Sequence, residues 1–355
     1  MSLNFTPEFY IYLICSVICY LIFIILIYTA LKKNKKVLFL LSISILCFAL
    51  NLFNNSIALL LMNELIFISG AYVLYGSVFF LLFFIDYTLQ ERITAIKLAA
   101  ISIIGTLLVI SSIQGDVVIL FYDYGFPSLK RSGYFSIIFY LLIFIFVISI
   151  NYWIIKTSIN SPKELEKYSK RLIYASVLCL IGAIFLFLQE IIIIPISIFF
   201  TFLGMIVIII TIIKEPKILF ILPFKTYRLI VIYKDSGVDI FSHIWESSNI
   251  SDDLLAGLMS IMNKMGTELI NQGELQHVAY KKGVFLMKGT EHLIFGLIVN
   301  KTSKFLNKCL NEFSIDFQNK YQHILKNWVG DLSPFIDAPS LLEKHFGYIP
   351  SRIQK

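Results

Sequence analysis

The N-terminal part of the chain is a succession of long apolar runs separated by short polar breaks. Seven runs stand out: Phe9–Leu31, Val37–Met62, Leu65–Thr88, Leu98–Ile113, Tyr134–Ile155, Leu172–Gln189 and Ile191–Ile213. A membrane-spanning helix needs about 20 mostly apolar residues, whereas strands rarely exceed about ten. Length therefore selects helices over strands. The fourth run is short, and little more than Gln189 and Glu190 separates the last two.

From Tyr227 the pattern changes. Arg228–Tyr233 reads as a strand, Asp235-Ser236-Gly237 as a turn, and Val238–Trp245 as a second strand. Ser251 or Asp252 can cap a helix running to about Gln272, with Leu254, Leu258, Ile261, Met265 and Leu269 on one face. Three short strands are expected at Leu275–Tyr280, Val284–Met287 and His292–Val299, the last apolar enough to be central. A long helix over about Ser303–Trp328 and a short one around Pro339–Phe346 complete the order ββαβββα(α). The economical packing is a five-stranded antiparallel sheet with helices on it. The fold class is thus a polytopic α-helical membrane bundle of seven helices followed by a C-terminal α/β domain. The boundaries are 1–215 for the bundle, 216–226 for a connector and 227–355 for the α/β domain. With Pro216 and Pro223, the connector reads as stiff rather than floppy.

Composition agrees with this division. Apolar residues make up 58% and charged residues 15% of the chain, against roughly 45–50% and about 25% in soluble domains. The first 221 residues carry 15 Lys/Arg and 10 Asp/Glu, and the last 134 carry 15 and 13, an ordinary soluble mixture. The stretch before the first run has no Lys or Arg and the run is too long for a signal-peptide core, so no cleavable signal peptide is expected.

Loop charge sets an orientation. The first, third and fifth loops hold eleven basic residues, and the second, fourth and sixth hold only Lys130 and Arg131. Cytoplasmic loops collect Lys and Arg. This predicts a multi-pass cell-membrane protein with its N-terminus outside and the α/β domain in the cytoplasm. The net charge of +7 sits mostly in these short loops, where it serves topology, so no nucleic-acid partner is expected.

Little in the sequence points to catalysis. There is no P-loop and no H-E-x-x-H helix, and the five histidines lack metal-ligand spacing. The last apolar run has no lysine for a retinal Schiff base, and the five cysteines form no C-x-x-C. The expectation is a non-enzymatic chain with no cofactor and no metal. Polar residues inside the apolar runs are the remaining pointers, because they are costly in lipid. Asn51, Asn54 and Asn55 fall on one face of the second helix, and Gln189 and Glu190 lie at the outer end of the sixth. They fit an outward-facing small-ligand cavity; the alternatives are helix–helix hydrogen bonding for the asparagines and interfacial solvation for Glu190 and Asp86. Asp86 sits near the inner end of the third helix. The loop QGDVVILFYDYGFPSLKRSG, with Tyr122, Tyr124 and Phe126, fits either an interfacial aromatic belt or a ligand-contacting lid.

Several stretches carry family resemblances. LLFFIDYT at Leu81–Thr88, YGFPSLKRSGYFSIIFYLLIF from Tyr124, KELEKYSKRLIYASVLCLIG from Lys163 and IPISIFFTFLGMIVIII from Ile194 resemble the seven-helix sensor region at the N-terminus of many prokaryotic histidine kinases. LPFKTYRLIVIYKDSGVDIFSHIW from Leu222, DDLLAGLMSIMNKMGTELI from Asp252 and FIDAPSLLEKHFGYIP from Phe335 are similar to archaeal longin/roadblock-like domains. Those are non-enzymatic modules that bind one another and small GTPases. No kinase core follows the sensor-like part. The resemblance therefore implies a receptor-like sensor whose output is protein binding, with a small GTPase or another longin/roadblock domain as partner and a homodimer as one form of that pairing. A membrane anchor for a longin-type trafficking module and a transporter or channel are the alternatives.

Overall fold

The apolar runs of the N-terminal part form helices throughout. In a computed structural model of the chain the described residues are 4–32, 36–90, 93–113, 117–123, 126–187, 193–221, 225–246, 277–280, 283–326, 328, 330–347 and 349. The helices are α1 (Pro7–Lys32), α2 (Lys36–Leu61), α3 (Glu64–Gln90), α4 (Ala95–Ile113), α5 (Gly133–Ile159), α6 (Glu166–Phe187) and α7 (Ile193–Lys214). Among the described residues, seven helices are long and apolar enough to cross a membrane. Helical geometry pairs each backbone amide within its own segment, which a hydrocarbon environment demands. Ile14, Leu21 and Ile24 of α1 and Ile148 and Ile155 of α5 turn outward, the reverse of a soluble bundle. This is the architecture of a multi-pass membrane protein.

The helices are joined by small polar groups rather than by apolar burial alone. Ser44 Oγ donates to the Ser77 carbonyl and Ser77 Oγ to that of Ser44, both at 2.9 Å, linking α2 to α3. Ser16 Oγ donates to the Ala49 carbonyl at 3.1 Å, linking α1 to α2. Lipid gives apolar side chains no reason to prefer each other, so close packing and such bonds carry association. Asp86, buried in α3, accepts from the Thr94 amide (2.9 Å), the Thr94 hydroxyl (2.7 Å) and Lys97 Nζ. It thereby fixes the start of α4.

Two stretches depart from the sequence reading. α6 starts at Glu166 rather than Leu172, because its charged first turns are helical too, with Ser169 and Leu172 buried along one side. Hydropathy sees only the apolar remainder. The loop after α4 is not irregular. It folds as an antiparallel hairpin of β1 (Val118–Asp123) and β2 (Phe126–Arg131) with Val118 opposite Arg131. The signal was the apolar run Val117–Tyr122 next to Asp123-Tyr124-Gly125.

The chain divides into two compact units, Met1–Ile159 with Lys167–Leu219, and Asn160–Glu166 with Phe220–Lys355. The second contains β3 (Thr226–Tyr233), β4 (Asp239–Ile244), β5 (His277–Tyr280), β6 (Gly283–Gly289), β7 (Leu293–Val299), α8 (Lys304–Leu325) and α9 (Ala338–Phe346). The five strands form one antiparallel sheet in the order β4-β3-β7-β6-β5, with the most apolar strand at its centre. Ser303 caps α8 by accepting from the Leu306 amide at 3.2 Å. The apolar face of α8 lies on the sheet, with Phe295 5.9 Å from Phe313 and 5.7 Å from Phe317, ring centre to ring centre. Ile230, Ile232, Phe285, Met287 and Ile294 form a second buried cluster on the other face. The helix expected over Ser251–Gln272 lies outside the described residues.

Candidate functional site

The site begins with how the hairpin is held. Thr6 Oγ1 accepts from the Phe9 amide at 3.2 Å and caps α1, with Pro7 next in line. This holds the residues that grip β2. Asn4 Nδ2 donates to the Pro127 carbonyl at 2.8 Å, and Ser128 Oγ donates to Glu8 Oε2 at 2.9 Å. The Ser132 amide extends the ladder to the Val117 carbonyl at 2.9 Å. Gly133, with φ +55°, then turns the chain from the hairpin into α5, a conformation that costs a residue with a Cβ roughly 1–2 kcal/mol. Arg131, the last residue of β2, is thus fixed at the point where the hairpin meets the bundle.

Its side chain enters the bundle. Nη2 donates to Asn55 Oδ1 at 2.8 Å and to the Phe67 carbonyl at 3.3 Å. The guanidinium carbon lies 4.0 Å from the Phe67 ring centre and 3.7 Å from that of Phe139, so aromatic rings accompany the charge. Among the described residues Nε is buried without a hydrogen-bond partner. Among the described residues no carboxylate lies within 4 Å of this guanidinium. Asn55 passes the bond on, donating from Nδ2 to Asn51 Oδ1 at 3.4 Å. Gly70 of α3 makes room for both amides: a Cβ there would lie 2.9 Å from Asn55 Oδ1 and 3.3 Å from Asn51 Oδ1.

These groups border a cavity of about 110 Å³. Among the described residues α1, α2, α3, α5, α6 and α7 contribute to its wall, towards the end of the bundle where α1, α5 and α7 begin and α2 ends. Its polar lining comprises Tyr12, Asn51, Asn55, Arg131, Ser197 and Thr201, and the rest is aliphatic or aromatic, including Phe48, Phe139, Phe146 and Phe202. Ser197 is committed elsewhere, donating to the Gly182 carbonyl at 2.6 Å. Among the described residues the lining thus offers one cation, one amide ladder and apolar walls. Among the described residues no group of His, Cys, Asp and Glu could hold a metal ion.

The predicted residues separate on this geometry. Asn51 and Asn55 line the cavity, whereas Asn54 donates to Ser69 Oγ of α3 at 3.1 Å and does not. The three share a face by spacing, but that face is wider than the cavity. Gln189, Glu190 and Tyr124 lie outside the described residues, as do the side chains of Tyr122 and Phe126, whose backbones sit in β1 and β2. Arg131 was missed, having been read as a loop charge. The available signal was that Lys130 and Arg131 are the only basic residues in loops otherwise free of them.

The second unit carries charge chemistry of another kind. Asp316 Oδ2 accepts from Lys344 Nζ at 2.6 Å and lies 2.9 Å from His345 Nε2, which ties α8 to α9. The Lys344 bond first, and that of His345 next, hold its carboxyl below the usual carboxylate range. Burial pushes His243 below the usual histidine range, against the opposing effect of Glu343. None of the five cysteines forms a disulfide. No protein-family model, characterised protein or solved structure matches this chain.

Proposed function

We propose that the chain is a receptor-like membrane sensor. A small molecule enters the bundle cavity from outside, the helices repack around it, and the C-terminal domain alters its affinity for a cytoplasmic protein. The observation that supports this reading is the Arg131 guanidinium, which borders a cavity inside a membrane bundle without a carboxylate among the described residues. Burying an uncompensated charge costs several kcal/mol, and ionisable groups placed so in membrane proteins mark ligand and ion paths. A bundle serving only as an anchor gains nothing from that cost. The loop charges support an outward-facing cavity and a cytoplasmic C-terminal domain.

The output half rests on resemblance. The N-terminal part is read as akin to the sensor regions of prokaryotic histidine kinases, and the C-terminal domain as longin/roadblock-like. Its partner is then a small GTPase or a second longin/roadblock domain, another copy of this chain included. A sensor requires two states and a ligand that distinguishes them.

The test needs no known ligand. Ala183 lines the cavity, so Ala183→Leu fills part of it as a ligand would. Hydrogen exchange on the full-length protein in lipid nanodiscs, wild type against Ala183→Leu, should show altered amide protection across residues 226–346. Protection that changes in the bundle and stays identical in the C-terminal domain refutes the relay.

A further inference from the structure

We infer that the bundle cavity takes a small monocarboxylate with an apolar tail, anchored by Arg131; this deepens, and rests on, the reading of that cavity as a ligand site. The geometry of the guanidinium carries the inference. Phe67 and Phe139 lie 4.0 and 3.7 Å from its carbon, so approach from its faces is closed and its edge remains. Both Nη2 hydrogens on that edge are taken, by Asn55 and by the Phe67 carbonyl, whereas among the described residues Nε is buried without a partner. The group that satisfies an unpartnered N–H and the positive charge together is an anionic oxygen, and a carboxylate supplies one.

Charge selects a monoanion. Among the described residues the site holds one cation and no carboxylate within ion-pair distance of it. A single negative charge brings the pair to neutrality in an apolar surround. A phosphate dianion would leave an excess charge against the rings of Phe48, Phe146 and Phe202, which is costly. Further donors suit the same head group. Asn51, whose Oδ1 accepts from Asn55, keeps Nδ2 as a further donor in a residue of the lining, and Tyr12 is a second lining residue with a hydroxyl.

Size selects a short tail. One water needs roughly 10–15 Å³ of such space, and the cavity offers about 110 Å³. That is room for roughly seven to eleven water-sized groups, the scale of a carboxylate with a tail of a few carbons.

The test is calorimetric titration of the full-length protein in phosphatidylcholine nanodiscs with hexanoate, hexan-1-ol, hexylamine and palmitate. Hexanoate should bind at least about 10-fold more tightly than the alcohol or the amine, the gain expected of a charge-assisted hydrogen bond. Arg131→Gln should weaken hexanoate by about 10- to 100-fold, and Arg131→Lys, which keeps the charge and loses the planar fork, by less. The ligand series on the wild type answers the question even if Arg131→Gln does not fold. Hexanoate binding more tightly than palmitate is expected of a short-tailed, water-borne acid; palmitate binding more tightly overturns the short tail and makes the bilayer the source of the carboxylate. Equal affinity for hexanoate and hexan-1-ol, or hexanoate binding unaffected by Arg131→Gln, overturns the assignment. Hexanoate binding without altered protection in residues 226–346 removes the sensor and leaves the carboxylate site. No hexanoate binding, together with a response to Ala183→Leu, does the opposite.

Discussion

Gly70→Ala sets two effects of opposite sign against each other. Alanine is the better helix former by about 1 kcal/mol, so at an indifferent position in α3 the change would stabilise. At position 70 the added Cβ lies 2.9 Å from Asn55 Oδ1 and 3.3 Å from Asn51 Oδ1. The first distance is too short to keep. The Asn55 amide must swing, and its oxygen is the acceptor of the 2.8 Å bond from Arg131 Nη2. A hydrogen bond to a charged group contributes about 1.5–3 kcal/mol. The net expectation is a loss of about 0.5–2 kcal/mol. In an Asn55→Ala background the oxygen and its bond are already gone, so Gly70→Ala should stabilise, by up to about 1 kcal/mol. Reversible unfolding of the full-length protein in mixed micelles, run as a double-mutant cycle, measures both arms. Equal destabilisation in the two backgrounds would refute the reasoning, because the cost would then not pass through Asn55.

Phe317 is fully buried and its ring meets those of Phe295, Phe313, Tyr321 and Phe335. Phe317→Ala should cost about 3–5 kcal/mol, read as a lower unfolding midpoint of the C-terminal unit by hydrogen exchange in the whole protein. Asp86→Leu removes the acceptor for Thr94 and Lys97. A loss of about 1–3 kcal/mol is expected in the micelle assay, since Lys97 is 41% exposed and can return to water while the Thr94 amide loses its cap. The C-terminal unit should lose stability in two steps as pH falls. His243 is held neutral by burial, so the unfolded chain takes up its proton first, through the usual histidine range near about 6.5. Asp316, held ionised by Lys344 and His345, contributes stability that is present above the usual carboxylate value of about 3.9 and lost as pH drops through and below it. Fluorescence of Trp245, whose ring centre is 4.6 Å from that of His243, can follow unfolding. His243→Gln should remove the first step alone and Asp316→Asn the second.

The sequence alone determined the number of spans and the class of each half. Lipid admits only backbone that satisfies its own hydrogen bonds, so a run of about 20 apolar residues has one outcome. In the C-terminal domain the short apolar runs bounded by turn residues that form β3 to β7, and the three-to-four spacing of Leu306, Leu310, Phe313 and Phe317, specified strands and a helix from neighbours close along the chain. The ends of α6 and the hairpin were harder to read. Polar helical turns carry no hydropathy signal, and a hairpin between two spans competes with nothing that a hydropathy count records. The site itself lay beyond local pattern. Asn51, Asn54 and Asn55 share a face by spacing, yet only tertiary packing turned Asn54 to Ser69 and left the other two on the cavity. Arg131 meets Asn55 across 76 residues. No periodicity links those positions. Folding brings them together because the hairpin, gripped through Asn4 and Glu8, has one place to set its last side chain, between the rings of Phe67 and Phe139.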